Sequence, residues 1–249
     1  MISTQIFAHR GSAGTHPENT MSAFREAERV GSEGIELDVQ LSKDGEVVVI
    51  HDEELSRTTN GNGFVKEYTL NQLKKLDASH TFFKQVGIQR IPTLTEVLEM
   101  YTHNNMFLNI ELKNSIFFYP GMEEKVIALV RKYNLQNRVT LSSFNHYSLV
   151  HCFQMDSGIE TAPLYRDGLF KPWVYAKAIG AKGIHPNIKA APNFIITSAM
   201  KENIAVRPYT VNKEKVMKSL FEINCTSFIT DFPARAIALR NELNNSLRM

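Results

Sequence analysis

The chain has 249 residues, of which 43% are hydrophobic and 22% are charged, and its formal net charge is +2. This composition is typical of a globular α/β protein with a large core, and the near-balanced charge, without a long basic run, argues against a nucleic-acid partner. Cys152 and Cys225 match no metal-binding or redox spacing, so we expect free thiols in a reducing compartment.

The N-terminal residues MISTQIFAHRG contain no basic region and no apolar stretch of signal-peptide length. No segment of the chain reaches the roughly 20 apolar residues that a membrane span needs. We therefore expect a cytoplasmic protein with no stable membrane association.

Strand patterns alternate with amphipathic helical patterns from one end of the chain to the other. The predicted strands are 5–9, 34–40, 106–113, 139–143, 159–164, 183–185, 205–211 and 227–230. The predicted helices are 20–30, 94–101, 122–133, 172–179, 192–202, 213–223 and 233–243. This alternation predicts an α/β fold, a TIM-type (β/α)8 barrel formed by a single domain over 1–249, with residues 53–90 as an inserted loop region on the active face.

A hairpin is predicted within residues 34–55, GIELDVQLSKDGEVVVIHDEEL. The Asp-Gly pair at 44–45 tolerates the positive φ of a two-residue type I′ turn, which would set His51 opposite Asp38 on the neighbouring strand. Glu36 lies two residues from Asp38 and so shares its face. The turn therefore predicts that two carboxylates and an imidazole converge.

Polar residues also stand at the predicted ends of the first three parallel strands. With the histidine of the hairpin, the set is His9, Arg10, Glu36, Asp38, His51, Glu111 and Lys113. Catalytic groups of such barrels come from the C-terminal ends of the strands. Burying so many charges together is costly without a ligand or a metal, so we expect these residues to form one site.

The chemistry of this set follows from the charge and hardness of its groups. Its three carboxylates offer only oxygen ligands, which suit one divalent cation, Mg²⁺ or Ca²⁺, better than zinc. Its arginine and lysine complement a phosphate. Its two histidines can accept and donate protons near neutral pH, so the sequence predicts metal-assisted cleavage of a phosphoester.

An ordered series of motifs covers nearly the whole chain. It comprises His9-Arg10-Gly11, His16-Pro17-Glu18-Asn19-Thr20, Glu36-Leu37-Asp38-Val39, Lys43-Asp44-Gly45, His51-Asp52, Arg57-Thr58-Thr59, Pro92-Thr93-Leu94, Glu111-Leu112-Lys113, Ser143-Phe144, Tyr209-Thr210-Val211-Asn212 and Thr230-Asp231-Phe232-Pro233. The series resembles that of the glycerophosphodiester phosphodiesterases. The resemblance implies a TIM-type barrel that hydrolyses a small-molecule glycerophosphodiester to glycerol 3-phosphate and an alcohol.

The resemblance also implies a role for each site residue. By position, it implies an acid/base pair of His9 and His51, metal ligands Glu36, Asp38 and Glu111, and phosphate contacts Arg10 and Lys113. It favours His9 as the base and His51 as the acid. Tyr209 is a departure, because many members carry Trp before Thr-Val-Asn, and it affects the shape of the substrate wall rather than the chemistry.

Some alternatives stay open at this point. A glycerol hydroxyl attacks phosphorus to give a cyclic intermediate, or water attacks directly. A phospholipase-type enzyme would use the same barrel mouth with Phe82-Phe83 or Phe117-Phe118-Tyr119 touching a bilayer, although anchoring of loops is the simpler role for these residues. A catalytically inactive scaffold would be expected to lack a histidine or a ligand, and none is missing. Glu18 faces the metal or the glycerol, or it orders the first loop.

Overall fold

The computed structural model describes residues 1–246, which form a barrel of eight parallel strands surrounded by helices. The strands are β1 (Gln5–His9), β2 (Gly34–Leu41), β3 (Val47–Val49), β4 (Phe107–Leu112), β5 (Val139–Ser143), β6 (Glu160–Tyr165), β7 (Gly183–Pro186), β8 (Ala205–Val206) and β9 (Ser227–Thr230). The barrel order is β8-β7-β6-β5-β4-β2-β1-β9, and β3 pairs antiparallel with β2 outside this order. The predicted TIM-type barrel is confirmed.

The barrel closes between β8 and β9 through the residues that follow β8. Ile229 N donates to Pro208 O at 3.0 Å, and Val211 N donates to Ile229 O at 2.8 Å. The strand predicted over 205–211 is therefore too long, because regular pairing ends at Val206. Pro208 has no N–H to donate to a ladder, which accounts for the interruption.

Helices surround the barrel strands, with two exceptions. The helices are α1 (Met21–Arg29), α2 (Leu70–Leu73), α3 (Phe83–Val86), α4 (Leu94–Tyr101), α5 (Met122–Lys132), α6 (His146–Met155), α7 (Pro172–Ala178), α8 (Asn193–Lys201), α9 (Glu214–Glu222) and α10 (Pro233–Ser246). The exceptions are α2 and α3, which lie in the segment between β3 and α4. The predicted helices all occur, with small shifts at their ends. Helix α6 was not predicted, because its apolar stripe is weak and includes the buried Ser148.

The alternation of side chains along β2 separates the core from the site. Ile35, Leu37 and Val39 belong to the apolar core between the barrel and its helices. Glu36 and Asp38 point the other way, into the barrel, because successive residues of a strand face opposite sides. The two carboxylates of β2 are therefore buried inside the barrel mouth.

The hairpin between β2 and β3 has a three-residue loop, so the prediction of a two-residue type I′ turn is wrong. Ser42 N donates to Glu46 O at 3.0 Å, and only Gly45 takes a positive φ, of +80°. This matches a type I turn that ends in a left-handed glycine. The carboxylate of Asp44 accepts hydrogen bonds from Ser42 Oγ at 2.6 Å and from Leu70 N at 2.9 Å, which holds Asp44 in an ordinary conformation.

The longer loop changes the register of the hairpin by one residue. Ile50, rather than His51, lies opposite Asp38, and Ile50 N donates to Asp38 O at 3.0 Å. His51 still reaches the barrel mouth because the chain leaves the strand at this point. Gln40 Nε2 donates to the carbonyls of Ile50 at 3.3 Å, His51 at 3.1 Å and Asp52 at 2.7 Å, which holds the turn. The predicted convergence occurs, but for a different reason.

Residues 53–90 contain α2 and α3 and pack over a small apolar cluster of their own. The cluster includes Leu55, Val65 and Leu73, together with Val48 and Ile50 of the hairpin. That this segment is an insertion in a single domain stays a prediction. Cys152 and Cys225 are buried free thiols, as expected. Within residues 1–246 there is no helix with the length and apolar character to cross a membrane.

Candidate active site

The structure brings all the predicted site residues together at the carboxyl ends of β1, β2 and β4. The register of β1 with β2 sets His9 beside Glu36, and that of β2 with β4 sets Asp38 beside Glu111. Glu36, Asp38 and Glu111 are buried, and each offers a carboxylate oxygen within 4.8 Å of those of the other two. Parallel strand register is thus sufficient to assemble this carboxylate cluster.

Electrostatics of the cluster favour a bound cation. Burial raises the pKa of Glu36 well above its usual value, and burial with the charge of Asp38 raises the pKa of Glu111 to about 7. Burial also acts to raise the pKa of Asp38, but Arg10 and other nearby cations hold it below its usual value. Asp38 Oδ1 is buried and has no hydrogen-bond partner among the described residues. Three oxygen-only donors with one free oxygen can hold a hard divalent ion.

Arg10 is held against this cluster by its backbone and by its side chain. Its N–H donates to Glu36 Oε2 at 3.0 Å, and its Nε lies 3.4 Å from Asp38 Oδ2. Its φ is +51°, which is a strained value for a residue with a Cβ and is typical of functional loops. Gly11 follows with φ +80°, and a Cβ there would lie 2.7 Å from Ala23. The close approach of this loop to α1 fixes the guanidinium at the barrel mouth.

His9 is oriented by Asp231, a residue to which the sequence suggested only a role near the start of the last helix. Asp231 Oδ1 accepts a hydrogen bond from His9 Nδ1 at 2.5 Å, which leaves Nε2, 3.9 Å from Glu36, turned to the cluster. Asn212 Nδ2 donates to the other oxygen of Asp231. Burial acts to raise the pKa of Asp231, but the hydrogen bond from His9 keeps it below its usual value. The imidazole is thus held in one orientation.

His51 has its own carboxylate, that of the adjacent Asp52. Asp52 Oδ1 accepts from His51 Nδ1 at 2.5 Å and from Arg57 Nη2 at 3.0 Å. Lys113 Nζ lies 3.2 Å from His51 Nε2 and donates to Glu111 Oε1 at 3.1 Å. Burial, Arg10 and Lys113 lower the pKa of His51. Burial acts to raise the pKa of Asp52, but hydrogen bonds from Arg57 and His51 lower it to about 2.

Glu18 and Asn19 connect the first loop to these groups. Glu18 accepts from Arg10 Nη1 at 2.7 Å and from Arg57 Nη1 and Nη2 at 2.8 Å each. Asn19 Nδ2 donates to Asp38 Oδ2 at 2.9 Å. Of the alternatives for Glu18, these contacts favour the ordering of the first loop. Asn19 and Arg57 were not predicted as site residues, although both lie in motifs of the ordered series, at 16–20 and 57–59.

The aromatic residues that could touch a bilayer divide between buried and exposed positions. Tyr119 OH donates to Gln40 Oε1 at 2.9 Å, and Phe117 packs edge-on against Phe64 with ring centroids 5.3 Å apart. Phe118 and Phe83 are exposed. Tyr119 and the half-buried Phe117 therefore anchor their loop, whereas the exposed Phe83 and Phe118 do not take that role.

Tyr209 packs against Phe144, which lines the space beside the site. Its hydroxyl donates to Tyr165 O at 3.1 Å, and its ring meets that of Phe144 edge-on with centroids 6.2 Å apart. The effect of Tyr209 on the shape of a substrate wall stays a prediction.

Comparisons with known proteins show which proteins the chain is similar to. The model of the Glycerophosphoryl diester phosphodiesterase family matches residues 9–235. A glycerophosphodiester phosphodiesterase from Bacillus altitudinis is 48% identical over 243 residues, which cover 96% of this chain and 99% of that protein. One from Caldanaerobacter subterraneus subsp. tengcongensis is 42% identical over 238 residues, which cover 96% and 98% of the two chains.

Solved structures give the same result. An Oleispira antarctica phosphodiesterase in complex with the product sn-glycerol-3-phosphate matches with a TM-score of 0.85 and 29% identity, over 95% of this chain and 96% of that chain. A glycerophosphodiester phosphodiesterase from Agrobacterium tumefaciens str. C58 matches with a TM-score of 0.79 and 27% identity, over 96% and 99% of the two chains.

Proposed function

The chain belongs to the glycerophosphoryl diester phosphodiesterase family and is an enzyme of that class, and we propose that it hydrolyses glycerophosphodiesters to sn-glycerol 3-phosphate and an alcohol. The reaction would use one divalent cation and two histidines as general base and acid. One observation carries this proposal: His9 and His51, each bonded to its own carboxylate, flank a buried cluster of three acidic side chains.

The donor set supports Glu36, Asp38 and Glu111 as ligands of Mg²⁺ or Ca²⁺. All three are carboxylates, and the unpartnered Asp38 Oδ1 is a buried oxygen that a cation would satisfy. A divalent ion bound there would neutralise charge on the phosphate and lower the pKa of a coordinated hydroxyl.

Arg10 and Lys113 would bind the phosphate of the substrate. The guanidinium of Arg10 can offer two parallel donors to two phosphate oxygens, and the Lys113 ammonium supplies a compact charge. Both side chains now contact members of the carboxylate cluster, at 3.4 Å for Arg10 with Asp38 and 3.1 Å for Lys113 with Glu111. A bound phosphate and cation would take over these contacts.

The two histidines would divide the proton transfers. His9 has Nε2 free to accept the proton of the attacking hydroxyl, from glycerol or from water, because Asp231 occupies Nδ1. His51 would donate from Nε2 to the leaving alcohol. Its pKa is lowered by burial and by the charges of Arg10 and Lys113, and the phosphate anion would offset those two charges when substrate binds.

Metal removal and replacement tests the proposal. Chelator-treated protein should lose hydrolysis of glycerophosphocholine and regain it with Mg²⁺ or Ca²⁺. The rescue should be abolished at ordinary metal concentrations in each of three variants, Glu36→Ala, Asp38→Ala and Glu111→Ala. Glu54→Gln removes the same charge from an exposed position, so it serves as a control that should keep the rescue. Full activity in protein verified to be metal-free would exclude the metal requirement. Preference for intact or lyso lipid vesicles over soluble glycerophosphocholine would instead indicate a phospholipase-type enzyme.

A further inference from the structure

A groove of about 430 Å³ opens from the site on the side of Lys113 and runs across the ends of β4, β5 and β6. Its lining includes Glu53, Lys113, Phe144, Arg166 and Asp167. The catalytic contacts described above do not account for this space, which is larger than a phosphate requires.

Most of the charges in the groove already have partners. Lys113 contacts Glu111 and His51 at 3.1 Å and 3.2 Å. The guanidinium of Arg166 lies over the ring of Phe144, 5.0 Å from its centroid.

Glu53 is different from these charges. It is half-buried, and within residues 1–246 its carboxylate makes no hydrogen bond or ion pair, while Asp167 at the groove is exposed. Lys113 lies within range of the charge of Glu53 but makes its own contacts with Glu111 and His51. A half-buried carboxylate without a hydrogen bond or an ion pair favours a positively charged ligand, because burial strips away part of its hydration.

The position of the groove indicates which part of the substrate enters it, if the proposed function is correct. His51 would protonate the leaving alcohol, and Glu53 follows His51 by two residues. Lys113 both contacts His51 and lines the groove. The glycerol would lie nearer to His9 and the carboxylate cluster, where its hydroxyl is activated. The groove therefore extends from the leaving-group side of the phosphate.

We propose that this groove binds the alcohol head group of the diester and that Glu53 selects a cationic one, such as an ethanolamine or choline ammonium. A quaternary ammonium is weakly hydrated, so it gains from the apolar wall of the groove, which includes Ile116 and Leu164, as well as from the carboxylate. A neutral alcohol of the same shape gains only from the wall. This assignment rests on the proposed phosphodiesterase function and adds a class of preferred substrate to it.

The test compares two diesters that differ only in charge: glycerophosphocholine and its neutral carbon analogue, the 3,3-dimethylbutyl diester of glycerol phosphate. The wild-type enzyme should prefer the choline diester in kcat/KM. Glu53→Gln should lower this preference by roughly three- to tenfold, as expected for a half-exposed charge pair, mainly through KM. Glu54→Gln removes the same charge from an exposed neighbour and should leave the preference at its wild-type value.

Each outcome has a distinct meaning. A preference that falls with Glu53→Gln and with rising salt, but not with Glu54→Gln, supports the assignment. Equal losses on the two diesters would mean that Glu53 acts through His51 or Lys113 and not on the head group, and an unchanged preference would remove it from the groove's specificity. Either result overturns the inference while leaving the phosphodiesterase intact. A metal-loaded wild-type enzyme that hydrolyses neither diester would overturn the proposed function and this inference together.

Discussion

Replacing Asp231 by asparagine would change which nitrogen of His9 carries the proton. The carboxylate now accepts from His9 Nδ1 at 2.5 Å, which leaves Nε2 free to take up a proton. We expect Asp231→Asn to lower kcat/KM for glycerophosphocholine by about 10³- to 10⁴-fold, close to the roughly 10⁴-fold loss in kcat seen when a histidine base is forced into the wrong tautomer. The reason lies in the hydrogen bonds on the far side of Asp231.

Asn212 decides how the new amide would turn. Its Oδ1 accepts from Thr230 Oγ1 at 3.1 Å and from Asp231 N at 3.0 Å, so its Nδ2 must point at the side chain of residue 231. The amide in Asp231→Asn would therefore turn its oxygen to Asn212 and its NH₂ group to His9. His9 Nδ1 must then accept a hydrogen bond, and the ring proton moves to Nε2, the atom proposed to act as the base.

The magnitude follows from two costs that add when the variant restores the reactive tautomer of His9. Turning the amide back sets two NH₂ groups against each other, and an unsatisfied buried donor costs about 1 to 3 kcal/mol. Losing the charged partner of the imidazolium costs about a further 1.5 to 3 kcal/mol. The sum, about 2.5 to 6 kcal/mol, contains the 4 to 5.5 kcal/mol that correspond to about 10³- to 10⁴-fold in rate.

The assay is release of sn-glycerol 3-phosphate from glycerophosphocholine, with Asp231→Ala as the matched comparison. The alanine variant removes the carboxylate without forcing a tautomer, so it should retain more activity than Asp231→Asn. Nitrogen NMR of His9 should show the proton on Nε2 in the asparagine variant, and circular dichroism and metal content should match the wild type. If Asp231→Asn is as active as Asp231→Ala, the tautomer argument is wrong.

Further predictions concern leaving-group protonation, phosphate binding and stability. His51→Ala should keep a larger fraction of wild-type kcat/KM on a nitrophenyl diester, whose leaving group needs no proton, than on glycerophosphocholine. His9→Ala should lose activity comparably on both substrates, and each variant should lose about 10²-fold or more on glycerophosphocholine. The reverse pattern would exchange the roles of the two histidines. Arg10→Lys should raise KM although charge is kept, because the two-pronged contact is lost, and wild-type kinetics would remove Arg10 from the site. Burial, together with the charge of Arg207, lowers the pKa of His185 well below its usual 6.5. The stability that comes from the neutral form of His185 is therefore complete above pH 6.5 and is lost as the pH falls below it. Between about pH 6.5 and 5, the free energy of unfolding measured with urea should therefore fall by up to about 1.4 kcal/mol per pH unit more in the wild type than in His185→Gln. Parallel dependence of this free energy on pH in the two proteins would contradict the prediction.

The barrel and the cluster at its mouth could be predicted because both depend on short-range periodicity. Strand spacing fixes which residues end each strand, and parallel register then sets Asp38 beside Glu111 without further information. The hairpin register depends on a contact across the chain, since Asp44 accepts from Leu70 N, 26 residues away. The local turn preference of the Asp-Gly pair takes no account of this hydrogen bond from Leu70. The predicted register was therefore wrong by one residue.

The orienting carboxylates could not be assigned from the sequence for a related reason. Asp231 lies next to the predicted start of the last helix, where an acidic residue already has a local explanation. Asp52 lies next to His51, but its partner Arg57 belongs to a loop whose path no pattern specifies. Residues that act through a second side chain are seen only when the fold brings the two together.

The two histidine–carboxylate pairs differ in a way that supports the proposed division of labour. Asp231 is supported by a neutral amide, that of Asn212, so no cation shares the hydrogen bonds of the carboxylate that faces His9. Asp52 shares its charge with the guanidinium of Arg57, so it stabilises a positive charge on His51 less well. A base must hold the proton it receives, whereas an acid must release one to an alkoxide. The neutral support of one carboxylate and the cationic support of the other therefore favour His9 as the base and His51 as the acid, in the same direction as the lowered pKa of His51.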